Sequence, residues 1–235
     1  MPFRFKQFIV EDSNCPMKVG TDSVLLGAWA RLENCSRILD IGTGCGLLAL
    51  MAAQRSEAQI TGIDIDLSAI GAAAENFVSS PWSGRLTALQ TSLQDYAMDD
   101  TLHSFDHIIS NPPYFINSLK APELQRSNAR HTDLLPFELL ASAPAKLLSP
   151  DGRLSLVLPV NESEIFTGIA EQNGLHLAGM LQIFPRQGKP ANRVLMEFGR
   201  IKKTIILTSG LVIRDVSGEY TSDYKALTKD FYLNF

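Results

Sequence analysis

The stretch from Arg37 to Gln54 constrains this chain more than any other. Arg37-Ile38-Leu39-Asp40-Ile41 is a short apolar run of strand length. It passes into Gly42-Thr43-Gly44-Cys45-Gly46 and then into the helical run Leu47-Leu48-Ala49-Leu50-Met51-Ala52-Ala53-Gln54. Strand, glycine turn and helix in that order build a parallel α/β sheet. Glycines let a ligand approach the backbone closely and take φ values closed to other residues. The helix start beyond offers unpaired N–H groups and a positive dipole end.

The units that follow repeat the theme. Gln59-Ile60-Thr61-Gly62-Ile63-Asp64 reads as a second strand, ending in an acid 22 residues after Gly42. In a Rossmann-like fold that position holds the carboxylate for a ribose diol. Asp66 reads as the N-cap of the next helix, leaving Asp64 as the ligand candidate. Arg85 to Gln90 is a third strand, ending near Thr91-Ser92-Leu93. Phe105 to Ile109 is a fourth, and it delivers Ser110-Asn111-Pro112-Pro113-Tyr114. Two consecutive prolines donate no backbone hydrogen bond and hold φ near −65°. They also push Asn111 into extended geometry, so the strand stops there. An amide, a carbonyl-only backbone and an aromatic ring then stand side by side, a set suited to gripping a planar group that carries an NH2.

Elsewhere Thr21 or Asp22 reads as the N-cap of a helix through Val24–Ala30. Residues 115–134, with Arg126 and Arg130, read as a long loop, a length that is usually functional. A helix over 134–148, a strand over 153–158, a helix over 162–172 and strands over 176–184 and 193–200 follow. Residues 205–207 and 211–213 are short β candidates, and 220–235 reads as a final packed helix. The chain of 235 residues, 45% hydrophobic, is long enough for a real core. Three cysteines without a CxxC pair argue against a disulfide framework or a zinc site and fit a reducing cytosol. Four scattered histidines give no metal pattern. No apolar run approaches the roughly 20 residues of a membrane span, and the first residues lack a signal peptide's apolar stretch. The expectation is a cytoplasmic protein. Net charge is −4, but Arg186, Lys189, Arg193, Arg200, Lys202 and Lys203 face only Glu197 within 184–203. That asymmetry favours a local nucleic-acid face.

Asp40-x-Gly42-x-Gly44-x-Gly46, Asp64 after the next strand and Asn-Pro-Pro-Tyr after the fourth together resemble class I S-adenosylmethionine (SAM) methyltransferases. The closer resemblance is to the branch that methylates planar amino nitrogens. The turn is GxGxG rather than the GxGxxG of NAD enzymes. Over its whole length the chain is similar to the bacterial tRNA(Val) adenine N6-methyltransferase family. Phe5-Lys6-Gln7-Phe8, Met17-Lys18-Val19-Gly20-Thr21-Asp22, Leu25-Leu26-Gly27-Ala28-Trp29, Gly188-Lys189-Pro190 and Asp230-Phe231-Tyr232-Leu233 carry that likeness.

The resemblance implies a Rossmann-like α/β fold: a seven-stranded, mostly parallel sheet with an antiparallel last strand and helices on both faces. It implies one methyltransferase domain over 1–235, with 1–30 an extension packing near the SAM site. SAM is then the methyl donor, held by Asp40, Gly42, Gly44, Gly46 and Asp64, with Ser92 and Leu93 at its adenine and Lys18 or Thr21 at its carboxylate; no metal is implied. The Asn111 side-chain oxygen and the Pro112 carbonyl would accept from the target amine, and Tyr114 would stack on the base. The substrate implied is the adenine 3′ of the anticodon in tRNA, contacted by Arg126, Arg130, Arg186, Lys189 and Arg193, with no membrane and no obligate protein partner.

Other readings stay open on the residues alone. Glutamine N5-methylation of a release factor also uses Asn-Pro-Pro-Tyr, though the stretch before Asp40 is too short for that family's substrate domain. Guanine N2-methylation of ribosomal RNA tends toward Phe at the position of Tyr114. A catalytically silent RNA-binding protein of the same fold is the non-enzyme alternative.

Overall fold

The computed structural model describes residues 2–13, 15, 17–99, 104–113 and 135–235. A two-stranded hairpin comes first, β1 (Phe3–Arg4) and β2 (Ile9–Val10). The main sheet takes β3 (Arg37–Ile41), β4 (Gln59–Asp64), β5 (Leu86–Gln90), β6 (Phe105–Ser110), β7 (Leu148–Pro159), β8 (His176–Arg186), β9 (Arg193–Gly199) and β10 (Leu207–Arg214). The helices are α1 (Thr21–Trp29), α2 (Leu47–Arg55), α3 (Leu67–Val78), α4 (Leu93–Tyr96), α5 (Phe137–Leu147), α6 (Val160–Gln172) and α7 (Ser222–Thr228).

Strand order across the sheet is β10-β8-β9-β7-β6-β3-β4-β5. β3 to β8 and β10 run one way, and β9 runs antiparallel between β7 and β8. The expected seven strands, closed by an antiparallel last one, are therefore β3 to β9. β10 adds an eighth at the edge. The two short β candidates near 205–213 are one strand, because Leu207 to Val212 pair in continuous register with Gly179 to Phe184.

The chain moves outward from β3 through β4 to β5, then crosses to β6 on the other side of β3. Ligands of open α/β sheets bind where the order reverses, beyond the carboxyl ends of the strands. Here that crevice lies between the ends of β3 and β6, which carry the Gly42–Gly46 turn and Asn111.

Side chains alternate along each strand, and the alternation builds two cores. Leu39 and Ile41 of β3, Leu154, Leu156 and Leu158 of β7 and Val194, Met196 and Phe198 of β9 face α4, α5 and α6. Ile38, Val157 and Leu195 face the layer of α1, α2 and α3, with Tyr224 of α7. Full burial of each such side chain contributes roughly 1.5–3 kcal/mol.

α1 starts one residue earlier than expected. Its N-cap is Gly20, extended at φ −126°, and Thr21 is already helical. Asp22 does not cap, because its carboxylate accepts from Arg193 Nε at 2.8 Å. The C-terminal helix is also shorter than expected: α7 is capped by Thr221 and ends at Thr228. Beyond it, Tyr232 and Phe235 pack edge-on to each other and lie against Tyr224. Phe5 stacks on Tyr232, and Lys6 N–H donates to the Phe231 carbonyl at 2.8 Å, so the first and last segments share one aromatic cluster.

Candidate active site

The glycine turn begins as β3 ends. Gly42 and Thr43 both donate their N–H to the Ile63 carbonyl, at 2.9 and 3.0 Å, and fasten the turn to β4. Gly42, Gly44 and Gly46 all have positive φ, at 68°, 56° and 83°, a region closed to most side chains. A side chain at Gly42 would meet nothing within 4 Å, whereas one at Gly46 would strike Phe77 at 2.4 Å. The turn is packed from beneath at Gly46 and open at Gly42, as a backbone cradle for a ligand must be.

Asp40 lies under this turn and is fully buried. Its Oδ2 accepts from the Thr43 hydroxyl at 2.7 Å and the Ala49 N–H at 3.2 Å. Its Oδ1 has no partner among the described residues. Burial pushes the carboxyl up to about 7, against the pull of those two hydrogen bonds. One orphaned buried oxygen suits a nearby cationic group.

Asp64 ends β4. Its Oδ2 accepts from Gly44 N–H and its Oδ1 from Asp66 N–H, both at 3.0 Å. Asp66 caps α3 through the N–H groups of Ser68 and Ala69, as expected. Ser92 caps α4: its hydroxyl accepts from Asp95 N–H at 3.0 Å and donates to the Asp95 carboxylate at 2.7 Å. Leu93 is buried in the core beyond, so neither Ser92 nor Leu93 offers a free side chain.

The N-terminal segment reaches the same turn. Asn76 of α3 accepts from Glu11 N–H at 2.9 Å and donates to the carbonyls of Glu11 and Cys45, at 3.0 and 2.8 Å. Lys18 Nζ donates to the carbonyls of Asp12 and Ser13 and braces that loop. Cys15 meets Cys45 thiol to thiol, which lowers the Cys15 thiol and raises that of Cys45. Lys18 is thus engaged by the loop, and Thr21 is exposed at the first turn of α1.

Asn111 emerges from β6 with Pro112 buried and Pro113 exposed. Its Nδ2 donates to the Ser23 hydroxyl of α1 at 2.8 Å. Tyr114, Arg126 and Arg130 lie outside the described residues.

The basic segment does not form one face. β9 carries it from the carboxyl edge of the sheet to the opposite edge, roughly 20 Å at the usual rise of a strand. Arg193 pairs with Pro159 at the end of β7, while Gly199 pairs with Arg153 at the other end. Arg186, Lys189 and Arg193 therefore share the edge of Asn111. Arg200, Lys202 and Lys203 lie at the far edge, with Arg200 donating to the Leu148 carbonyl at 2.9 Å. Two of the near group are engaged: Arg193 with Asp22, and Arg186 with the carbonyls of Asp215 and Val216. Lys189 stands in solvent on the β8–β9 turn.

Ser23, Thr43 and Asn76 are site residues that sequence reading missed. Thr43 sits inside the glycine motif, three positions from its acceptor Asp40. Ser23 and Asn76 reach partners 88 and 65 positions away, and their contacts carry no local signal. Among the described residues no group of three or more His, Cys, Asp or Glu gathers as a metal site, and no helix is long and apolar enough to cross a membrane.

Residues 18–164 match the methyltransferase small domain model. A tRNA1(Val) (adenine(37)-N6)-methyltransferase of Shewanella baltica is 46% identical over the full length of both chains. Another so named, from Parabacteroides distasonis, is 45% identical over 98% of this chain and 97% of its own. Among solved structures, one of a predicted O-methyltransferase from Agrobacterium tumefaciens superposes with TM-score 0.68 at 20% identity, over 89% of this chain and 96% of that one. A T. thermophilus 16S rRNA guanine N2-methyltransferase, solved with AdoMet and guanosine, gives 0.61 at 17% identity, over 86% and 50%. These two share the fold of this chain. The glycine cradle, Asp64, the Asn-Pro-Pro corner and the full-length identity agree, and the chain belongs to the tRNA1(Val) (adenine(37)-N6)-methyltransferase family.

Proposed function

We propose that this protein transfers a methyl group from SAM to N6 of adenine 37 in tRNA1(Val), yielding N6-methyladenine and S-adenosylhomocysteine. The observation that carries the reading is the Asn111-Pro112 corner standing beside the glycine cradle at the switch point of the sheet. A site for a planar amine and a site for the donor then share one crevice. SAM supplies a methyl group made electrophilic by its sulfonium.

The chain's own groups do the rest. The open turn at Gly42 and Gly44 bears against the methionine part, and the orphaned Asp40 Oδ1 attracts the positive charge. Asp64, fixed by Gly44 and Asp66, accepts from the two ribose hydroxyls with its remaining lone pairs. Backbone at Ser92 and Leu93 edges the donor's adenine. Residues 1–30 wall one side of the cofactor site, with Asn76 tying Glu11 to the turn and Lys18 and Thr21 at its margin.

The target amine is a poor nucleophile because its lone pair is delocalised into the ring. Two acceptors, Asn111 Oδ1 and the Pro112 carbonyl, draw its two N–H bonds and turn the nitrogen toward tetrahedral geometry. Tyr114 stacks on the base, worth roughly 1–3 kcal/mol. The proton becomes acidic only after the new C–N bond forms, so no strong base is needed before attack. Rate comes from orientation and placed dipoles. A base in the anticodon loop is already partly unstacked and costs at most a few kcal/mol to flip out. Arg186, Lys189 and Arg193, with Arg126 and Arg130, meet the RNA backbone.

Incubation with SAM and unmodified tRNA, followed by nucleoside mass spectrometry, tests the reading. N6-methyladenosine is expected. Methylguanosine, or methyl transfer to a release-factor glutamine instead, would replace it.

A further inference from the structure

Asn76 is buried in the last turn of α3, and its amide is spent on backbone alone. Oδ1 accepts from Glu11 N–H at 2.9 Å, and Nδ2 donates to the carbonyls of Glu11 and Cys45 at 3.0 and 2.8 Å. A backbone N–H only donates and a carbonyl only accepts, so these partners fit a single orientation of the amide. Asn76 thus holds both backbone groups of Glu11 together with a carbonyl inside the glycine turn.

α3 is a firm base for that amide. The ring of Phe77, the next residue, lies under Gly46, where a Cβ would come within 2.4 Å. The described residues of 11–19, between β2 and α1, are closed on themselves. Val19 N–H donates to Asp12 Oδ2 at 2.9 Å, Cys15 N–H to the Asp12 carbonyl at 3.1 Å and Lys18 Nζ to the Ser13 carbonyl at 2.8 Å. They set Cys15 against the cradle, its sulfur 3.7 Å from where a Cβ on Gly44 would stand. Gly44 is the glycine whose N–H is bonded to Asp64. A strap therefore packs on the middle of the cradle, and Asn76 pins it to the turn.

We infer that Asn76 is a positioning residue for the cofactor, coupling the docking of this strap to SAM binding. The inference rests on the SAM reading of the cradle and adds a linkage to it. Asn76 touches neither the donor nor the target base. SAM binds the docked form more tightly, so loss of the pin lowers SAM affinity. By the same linkage, bound SAM holds the strap down.

The first test is Asn76→Ala. Kd and KM for SAM are expected to rise roughly tenfold, the scale of one or two buried hydrogen bonds. kcat at saturating SAM and KM for tRNA should hold. A merely structural role would lower Tm and leave the SAM affinity of the folded protein unchanged. The second readout uses the parent alone: N-ethylmaleimide labelling of buried Cys15, followed by peptide mass spectrometry, with the partly exposed Cys35 as internal reference. Saturating SAM should slow Cys15 labelling by roughly tenfold or more and leave Cys35 unchanged.

Parent-like SAM affinity in Asn76→Ala would overturn the inference. So would a loss confined to kcat or Tm, or Cys15 labelling in the parent that is indifferent to SAM. If Asn76→Ala does not fold, the labelling of the parent still decides. If the parent makes no N6-methyladenine yet SAM affinity and labelling behave as stated, the functional reading falls and the linkage stands.

Discussion

Asp64 Oδ2 accepts the backbone N–H of Gly44 at 3.0 Å, joining the acid at the end of β4 to the middle of the glycine turn after β3. The same carboxylate holds Asp66 N–H through Oδ1. One side chain therefore shapes the cradle and orders the start of α3, and in the proposed reading it also takes the ribose diol. Hydrogen bonds to a charged group contribute about 1.5–3 kcal/mol each. Asp64→Ala should weaken SAM binding at least about tenfold by calorimetry and lower Tm as well. A variant that lost affinity with no change in Tm would separate the ligand role from the turn role.

Gly46 and Gly42 should respond differently to alanine. Both have positive φ, so each substitution carries the strain of a left-handed side chain, about 1–2 kcal/mol. Only at Gly46 does the new Cβ also meet a ring, Phe77, at 2.4 Å. Urea denaturation should show Gly46→Ala the more destabilised of the two. At Gly42 the folded state should survive, and SAM affinity should fall, because the new methyl occupies the open face of the cradle.

Asp40 gives the cofactor site a pH signature. Burial holds its carboxyl at about 7 in the folded chain against 3.8 unfolded. Its contribution to stability is full below 3.8 and is lost as pH rises to 7, because the folded state keeps a proton that the unfolded state gives up. His107, buried and near Arg153, is lowered to about 3 from 6.5. Its contribution is full above 6.5 and is lost as pH falls toward 3. The two slopes oppose each other, so the parent alone is uninformative. Asp40→Asn removes the first slope and keeps the second. Between pH 3.8 and 7 the variant should gain on the parent by up to about 1.4 kcal/mol per pH unit, read from urea midpoints. A constant difference would mean that Asp40 is ionised throughout.

The split of the basic segment predicts unequal charge effects. Lys189→Ala should weaken tRNA binding and reduce the salt slope of log K by roughly 1. A Lys202→Ala/Lys203→Ala variant should leave both unchanged, because that pair sits at the opposite edge of the sheet. Filter binding over a salt series distinguishes them, and equal losses would restore a single continuous face.

What could be read in advance follows from distance along the chain. The β3 turn, Asp64, the Asp66 cap and the strand stop at Asn111-Pro112-Pro113 are local patterns, and the structure carries each where its residues indicated. The strand over 153–158 was legible for the same reason. Charge over 186–203 misled, because six bases close in sequence are not close in space; β9 crosses the sheet between them and separates the two groups. The capping of α1 misled because Asp22 is claimed by Arg193, 171 positions away. Ser23 and Asn76 were invisible because their partners exist only once the sheet has assembled.

The central claim is that the Asn111 corner and the glycine cradle form one methyl-transfer site for adenine. Its most direct measurement is methyl incorporation into unmodified tRNA1(Val) by the parent and by Asn111→Ala, with the product base mapped by mass spectrometry and SAM affinity measured alongside. The prediction is N6-methyladenine at position 37 with the parent, and none with Asn111→Ala, which should still bind SAM as the parent does. Normal turnover by Asn111→Ala, or a methyl group on any other base, would contradict it.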